Sequence, residues 1–343
     1  MTARHVERRL AAGISLFSTC PQSKDLPQNV YVDAVTRVAQ WSEHAGCEGI
    51  LVYTDNSLLD PWMVGQLIIA RTSRLSPLVA VQPIYMHPYT VAKLVSSIAY
   101  LTRRRVALNM VAGGFTRDLL ALDDETEHDG RYARVIEYTR IITRLLAGPE
   151  PVSFDGRYYR VHNLRLNPPL DSEYRPRILL SGSSPAGLAA AAATGATAVC
   201  YPNRVGIEPP RPTGTEGGFG VRVGVIARNT DREAWRVART RFPEDRHGQL
   251  THALAMAVSD SHWHGQLSAA DAPEGDDPYW LGPFQNYRTF CPYVVGSYDT
   301  VAEQLAGYVG LGFKTFILDV PVSLEEMEHI GEAFDRALRA VTV

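Results

Sequence analysis

Three things are scarce in this 343-residue chain, and each scarcity closes off a class of function. Charge imbalance is the first. With 34 Lys and Arg against 37 Asp and Glu, the formal net charge is −3, which provides neither a nucleic-acid-binding stripe nor a face for an anionic membrane. Cysteine is the second: Cys20, Cys47, Cys200 and Cys291 lie far apart and form no C-x-x-C pair, so neither a zinc ribbon nor a disulfide framework is indicated. Long apolar runs are the third. None approaches the ~18 residues of a membrane span, and the basic start MTARHVERRLAAG has no apolar core of about 7–15 residues such as a secretory signal needs. The expectation is a soluble, cytoplasmic protein whose partner is a small molecule, with no nucleic acid and no membrane.

Alternation is what the chain does have. Apolar β-runs at GISLF (13–17), GILVYT (49–54), LVAVQP (78–83), VALNMV (106–111), RILLSG (177–182), TAVCYP (197–202), FGVRVGVIAR (219–228) and TFILDV (315–320) are interleaved with stretches of helical periodicity. Parallel strands buried on both faces read as such continuous Val/Ile/Leu runs. Eight of them separated by helices predict an α/β fold, a (β/α)8 TIM barrel with insertions, a doubly wound open sheet being the alternative. The predicted organisation is one domain over 1–343 with a lid or insertion at about 243–285, a segment rich in Asp, His, Gly and Pro that fits a functional lid or a variable surface loop.

The stretch LLSGSSPAG (179–187) reads as strand, turn and helix start. A nucleophile elbow needs G-x-S-x-G, and Ala186 stands where the second glycine belongs. A phosphate cradle asks only for small residues, hydroxyls and a helix N-terminus with its free N–H groups, which Gly182, Ser183, Ser184 and Pro185 supply; Ser184 with Pro185 can equally be a plain N-cap. A second glycine pair, NMVAGG (109–114), closes another strand on the same face, and Asn109 within it is an amide that needs a partner, either a cofactor's ring edge or neighbouring backbone. Gln82 repeats the pattern at the end of LVAVQP. His262 and His264 complete no metal site, so no metal is expected.

Seven segments in order resemble the FMN-dependent bacterial luciferase-like monooxygenases, in particular the alkanesulfonate monooxygenase branch: SLLDPW with Asp60 and Trp62, VAVQP with HPYTVAK, NMVAGG, HDGRYAR, ILLSGSSPAG, FGVRVGVIARNTDREAW and GLGFKTFIL. The resemblance covers almost the whole chain. It implies a barrel holding reduced FMN at the strand C-termini, with Gln82, Asn109 and Gly113 at the ring or ribityl chain and Tyr132, Gly182, Ser183 and Ser184 at the phosphate. His128 and Arg131 belong to the same wall or fix the loop before the helix. It also implies dioxygen as co-substrate, a separate NAD(P)H-dependent flavin reductase that supplies the reduced FMN, and a homodimer or homotetramer. The chain has no Rossmann G-x-G-x-x-G of its own.

On the substrate side the pattern departs from that branch. Arg222, the candidate catalytic residue, is retained, but two positions on the expected histidine is Gly224. Leu58 replaces a cysteine, residues 320–323 read Val-Pro-Val-Ser in place of a Tyr-Pro-His cluster, Tyr287 aligns with an arginine although Arg288 is adjacent, and Gln22 or Ser23 replaces an early histidine. Leu58, Tyr85, Tyr287, Arg288, Phe290 and Tyr293 are candidates for a more aromatic pocket. These changes point away from a simple alkanesulfonate and toward a larger, less charged substrate such as a natural-product intermediate or carrier-bound acyl group. Alternatives are alkanesulfonate-type desulfonation, a deazaflavin-dependent oxidoreductase on the same barrel, and a non-catalytic flavin-binding accessory protein.

Overall fold

The computed structural model describes residues 3–206, 217–257, 267 and 276–341. Its centre is a closed barrel of eight parallel strands: β1 (Ser15–Thr19), β2 (Gly49–Val52), β3 (Ser76–Val81), β4 (Ala107–Val111), β7 (Ile178–Ser181), β8 (Thr197–Cys200), β9 (Phe219–Arg228) and β12 (Phe313–Leu318). Closure is completed where β9 pairs with β8 on one side and with β12 on the other, and β12 pairs with β1. The eight predicted runs are these eight strands, most with ends shifted by one or two residues.

One side chain each from seven strands fills the barrel interior: Phe17, Leu51, Leu78, Ala107, Leu179, Val199 and Ile317. This plug closes the lower barrel, as in the packed interiors of such folds. The outward-facing residues of the strands pack on the helices α2 (Gln28–His44), α3 (Pro61–Arg71), α4 (Pro88–Thr102), α6 (His128–Ala147), α7 (Pro185–Thr194), α11 (Tyr298–Gly310) and α12 (Leu324–Val341). Helix starts at the strand C-terminal face are set locally: Asp60 accepts from the N–H groups of Trp62 and Met63, both at 3.0 Å, with Pro61 at the first helical position. A helix ahead of the barrel, α1 (Ala3–Ala11), is tied to α12 by a 2.5 Å ion pair between Arg8 and Asp335.

Three insertions decorate this frame. The 152–166 excursion contains an antiparallel hairpin, β5 (Val152–Asp155) with β6 (Arg160–Leu164). A short helix, α5 (Thr116–Leu120), follows β4. The third builds an outer sheet: β11 (Tyr293–Ser297) runs parallel to the second half of the ten-residue β9, and β10 (Tyr279–Trp280) pairs antiparallel with β11. Of the 243–285 segment, helix α9 (Arg246–Ala257), β10 and the short helix α10 (Gly282–Gln285) are described, joined to α8 (Asp231–Arg241) by 242–245. Residues 258–266 and 268–275, with His262 and His264, lie outside the described residues. Among the described residues no helix is long and apolar enough to cross a membrane.

Candidate active site

Directly above the apolar plug is a cavity of about 250 Å³, floored by Leu51, Val199 and Ile317 and walled by the C-terminal ends of β2, β3, β4, β7, β8 and β9. A second cavity, of about 320 Å³, opens beside it toward the start of α3, sharing Thr54, Asp55, Leu58 and Ala80 as a common wall.

One end of the main cavity is built by Gly182, Ser183, Ser184, His128 and Tyr132. Ser184 caps α7, its Oγ accepting from the Gly187 N–H at 3.2 Å, so the N-cap reading of this residue is what the structure displays. Burial pushes the Tyr132 hydroxyl up, opposed by a hydrogen bond from Ser184, so that both hydroxyls of this pair are already engaged. Ser183 is different: its hydroxyl bonds to none of the described residues and lines the cavity at the turn into α7. At Gly182 a Cβ would stand 2.4 Å from the Tyr132 hydroxyl oxygen, so any larger residue would have to displace that ring. His128 packs edge-on against Tyr132 with ring centres 5.1 Å apart and bonds Asp129 at 2.7 Å. Arg131 donates to the Thr126 carbonyl at 2.9 Å, so it fixes the loop ahead of α6. The buried Asp124–Arg134 pair, at 2.5 Å, fixes it further.

Asn109, on the neighbouring strand β4, is buried in the adjoining wall and accepts from the Ser181 hydroxyl at 2.9 Å, an anchor from β7 that fixes the carboxamide's orientation. Gln82 lies in the adjoining cavity. It meets the main one at Gly113, where φ is +93° and a Cβ would stand 3.0 Å from Gln82 Nε2. Only glycine suits that backbone and that approach. A planar, polar-edged group carrying an anion therefore finds complements here: the Asn109 amide on one wall, Gln82 next to it across Gly113, and the Ser183 hydroxyl at the end. The residues present fit FMN on these grounds.

Arg222, on β9, closes the opposite wall. Only 8% of it is exposed, and its guanidinium lies 4.8 Å from the centre of the Tyr53 ring and 5.9 Å from those of Tyr201 and Phe290. Its hydrogen bond is to the Tyr201 hydroxyl, at 3.4 Å, and no carboxylate among the described residues pairs with it. Aromatic faces offset part of the cost of burying that charge but do not replace a counter-ion.

The structure does not bring every aromatic candidate to this wall. Leu58 lines both cavities, and Tyr85 lines the adjoining one, its hydroxyl donating to Asn56 at 2.7 Å. Tyr293 is 3% exposed and faces away from the cavity, packed over Gly224 and Phe242 with its hydroxyl on Asp319 at 2.7 Å. Tyr287, at φ +55°, packs behind Phe290 and beside His252. Arg288 points outward to an ion pair with Asp245 at 2.6 Å. These three support the outer sheet and the inserted segment. Conversely, the wall holds Tyr53, Tyr201 and Phe115, which sequence reasoning passed over. Tyr53 and Tyr201 each stand one residue past the end of a barrel strand, a position that marks them as cavity residues once the strands are known.

A barrel with its cavity at the strand C-termini, a serine-lined turn into α7 at one end and a buried arginine at the other has the layout of a TIM-barrel enzyme. Residues 13–315 match the luciferase-like monooxygenase family, and the chain belongs to it. A curated relative, the 4-(gamma-L-glutamylamino)butanoyl-(BtrI acyl-carrier protein) monooxygenase BtrO of Niallia circulans, is 33% identical over 309 residues, which span 88% of this chain and 90% of that protein. Among solved structures, the long-chain alkane monooxygenase LadA superposes with a TM-score of 0.73 at 18% identity, covering 96% of this chain and 92% of its own. The oxygenating constituent of 3,6-diketocamphane monooxygenase from Pseudomonas putida, solved with FMN, gives a TM-score of 0.64 at 14% identity, covering 96% and 98%.

Proposed function

We propose that this protein is the oxygenase of a two-component flavin system: it takes reduced FMN from a separate NAD(P)H-dependent reductase and uses dioxygen to oxygenate an acyl intermediate tethered to a carrier protein. One convergence supports the cofactor: the Ser183 hydroxyl, at the turn into α7, lines the same cavity as the anchored Asn109 amide. The substrate class draws on the 33% identical relative, whose named substrate is a carrier-bound acyl group, and on the loss of the sulfonate-type histidine at Gly224.

When bound, reduced FMN supplies the two electrons with which dioxygen is split, one oxygen atom entering the substrate and the other leaving as water. The chain's own residues do the rest. Ser183 and the α7 N-terminus bind the phosphate, Ser184 orients Tyr132, and Asn109 and Gln82 hold the polar ring edge. The apolar floor keeps water out from below. Arg222 supplies a fixed positive charge to oxygen that becomes negative in the transition state. The lid segment, the single-domain organisation, a homo-oligomeric assembly and a cytoplasmic setting for the four unpaired cysteines belong to the same proposal.

The test is oxygen consumption by the purified protein with FMN, NADH and a flavin reductase. Coupled turnover is expected with a short acyl-carrier-protein thioester, giving a product heavier by one oxygen atom, and not with butanesulfonate. Turnover with butanesulfonate alone, or binding confined to a reduced deazaflavin, would overturn it.

A further inference from the structure

Three buried polar atoms in the wall of the main cavity have no hydrogen-bond partner: Gln22 Oε1, Tyr53 Oη and Arg222 Nε. They come from three separate parts of the chain, the loop after β1, the end of β2 and the middle of β9, whose residues all line the one cavity, with the Arg222 guanidinium 4.8 Å from the centre of the Tyr53 ring. The cofactor reading uses none of these atoms as a contact. Buried polar groups are paired in native proteins, and a corner where three remain open is built for a ligand that completes them.

The polarity of the set restricts that ligand. Arg222 Nε only donates, Gln22 Oε1 only accepts, and the Tyr53 hydroxyl does either. A carboxylate or sulfonate satisfies the guanidinium but brings no donor to Gln22 Oε1. An unsubstituted alkyl chain satisfies none of the three. A secondary amide has both parts: a carbonyl oxygen that accepts from Arg222 and Tyr53, and an N–H that donates to Gln22. The flat faces of Tyr53, Tyr201 and Phe290 around Arg222 suit such a planar group.

We propose that Gln22 and Tyr53, with Arg222, form a subsite that reads a secondary amide of the substrate and so fixes which carbon lies over the reacting centre. This rests on the oxygenase reading of the cavity and deepens it. The amide can lie within the acyl chain, as it does in the named substrate of the relative, or in the thiol arm that carries it. Both present the same chemistry, and the probes separate them.

The experiment is calorimetric titration of the FMN-saturated protein with three thioesters: 4-(acetylamino)butanoyl S-methyl, with the amide in the acyl chain; butanoyl N-acetylcysteamine, with the amide in the arm; and heptanoyl S-methyl, with none. At least one amide probe is expected to bind tenfold or more tightly than the amide-free one, and which of them does so locates the amide. Gln22→Leu and Tyr53→Phe should each reduce that preference several-fold while FMN affinity and the unfolding midpoint stay unchanged. Equal binding of all three probes, tighter binding of butanesulfonate, or variants that keep the full preference would overturn the subsite. Repeating the titration on cofactor-free protein separates the two readings: failure to bind FMN with amide preference intact strikes the cofactor, whereas FMN binding without the preference strikes the subsite alone.

Discussion

Tyr293 occupies the space that any side chain at residue 224 would need. A Cβ on Gly224 would stand 2.3 Å from carbons of the Tyr293 ring, and the ring is held there by its hydroxyl on Asp319 at 2.7 Å. A histidine at 224 and a tyrosine at 293 exclude one another, so the sequence change at one is explained by the other. Gly224→Ala is expected to destabilise the protein by about 1–3 kcal/mol through overpacking. The cost should fall in a Tyr293→Leu background, a non-additivity that urea unfolding of the four proteins in the cycle would reveal.

The two serines of the α7 turn should behave differently. Ser183→Ala removes a hydroxyl that the protein itself does not use, so the unfolding midpoint should hold while FMN affinity falls by roughly tenfold, the loss of one hydrogen bond to a charged group. Ser184→Ala removes a helix cap and should cost about 1 kcal/mol of stability before any cofactor is added. Flavin fluorescence titration alongside thermal melts distinguishes them. Equal melting loss in both variants would contradict the division of labour.

Glu326 sets an acid limit. It is buried between Arg228 and Arg241, with a 2.7 Å contact to each. Burial by itself would raise its pKa, but the hydrogen bonds and charge of the two arginines outweigh that and hold it below the usual carboxylate value. A carboxylate depressed on folding contributes stability that is present above its unfolded pKa, about 4.3, and is lost as pH falls through the lower folded value. Glu326→Gln should cost about 3–5 kcal/mol at pH 7, and the gap to the wild type should narrow as pH drops below about 4. Unfolding free energies measured between pH 7 and pH 3 decide it; a constant gap would refute the assignment.

Arg222 presents stability and function in opposition. Replacing a buried, unpaired charge by a flexible apolar chain removes a desolvation penalty but also three ring contacts worth about 0.5–2 kcal/mol each. Arg222→Met is accordingly expected to stay within about 1 kcal/mol of the parent in stability while coupled turnover drops at least a hundredfold. Unfolding of the cofactor-free protein and an oxygen electrode measure the two effects.

The barrel was legible because its strands are buried on both faces and therefore spell continuous apolar runs, and the helix starts at Asp60 and Pro185 because capping chemistry is local. The strand, turn and helix start at 179–187 was legible for the same reason. Tyr53 and Tyr201 escaped notice because an aromatic residue looks the same in sequence whether it fills a core or faces a cavity. Tyr293 was placed in the pocket for the same reason, and β11 went unseen because YVVGS is too short to declare itself without its partner β9. Arg288 resembled a substrate-binding cation only until its long-range partner Asp245 was known.

The ten residues of β9 serve two masters. Its first half is a stave of the barrel, its second half is the edge on which β11 is laid, and Arg222 sits just before the changeover at Gly224. Remodelling of the inserted segment thus reaches the Arg222 side of the cavity along a single strand while the Ser183 end, built on α6 and α7, is left alone. Such a layout lets a lineage change what it oxidises without relearning how to hold its cofactor.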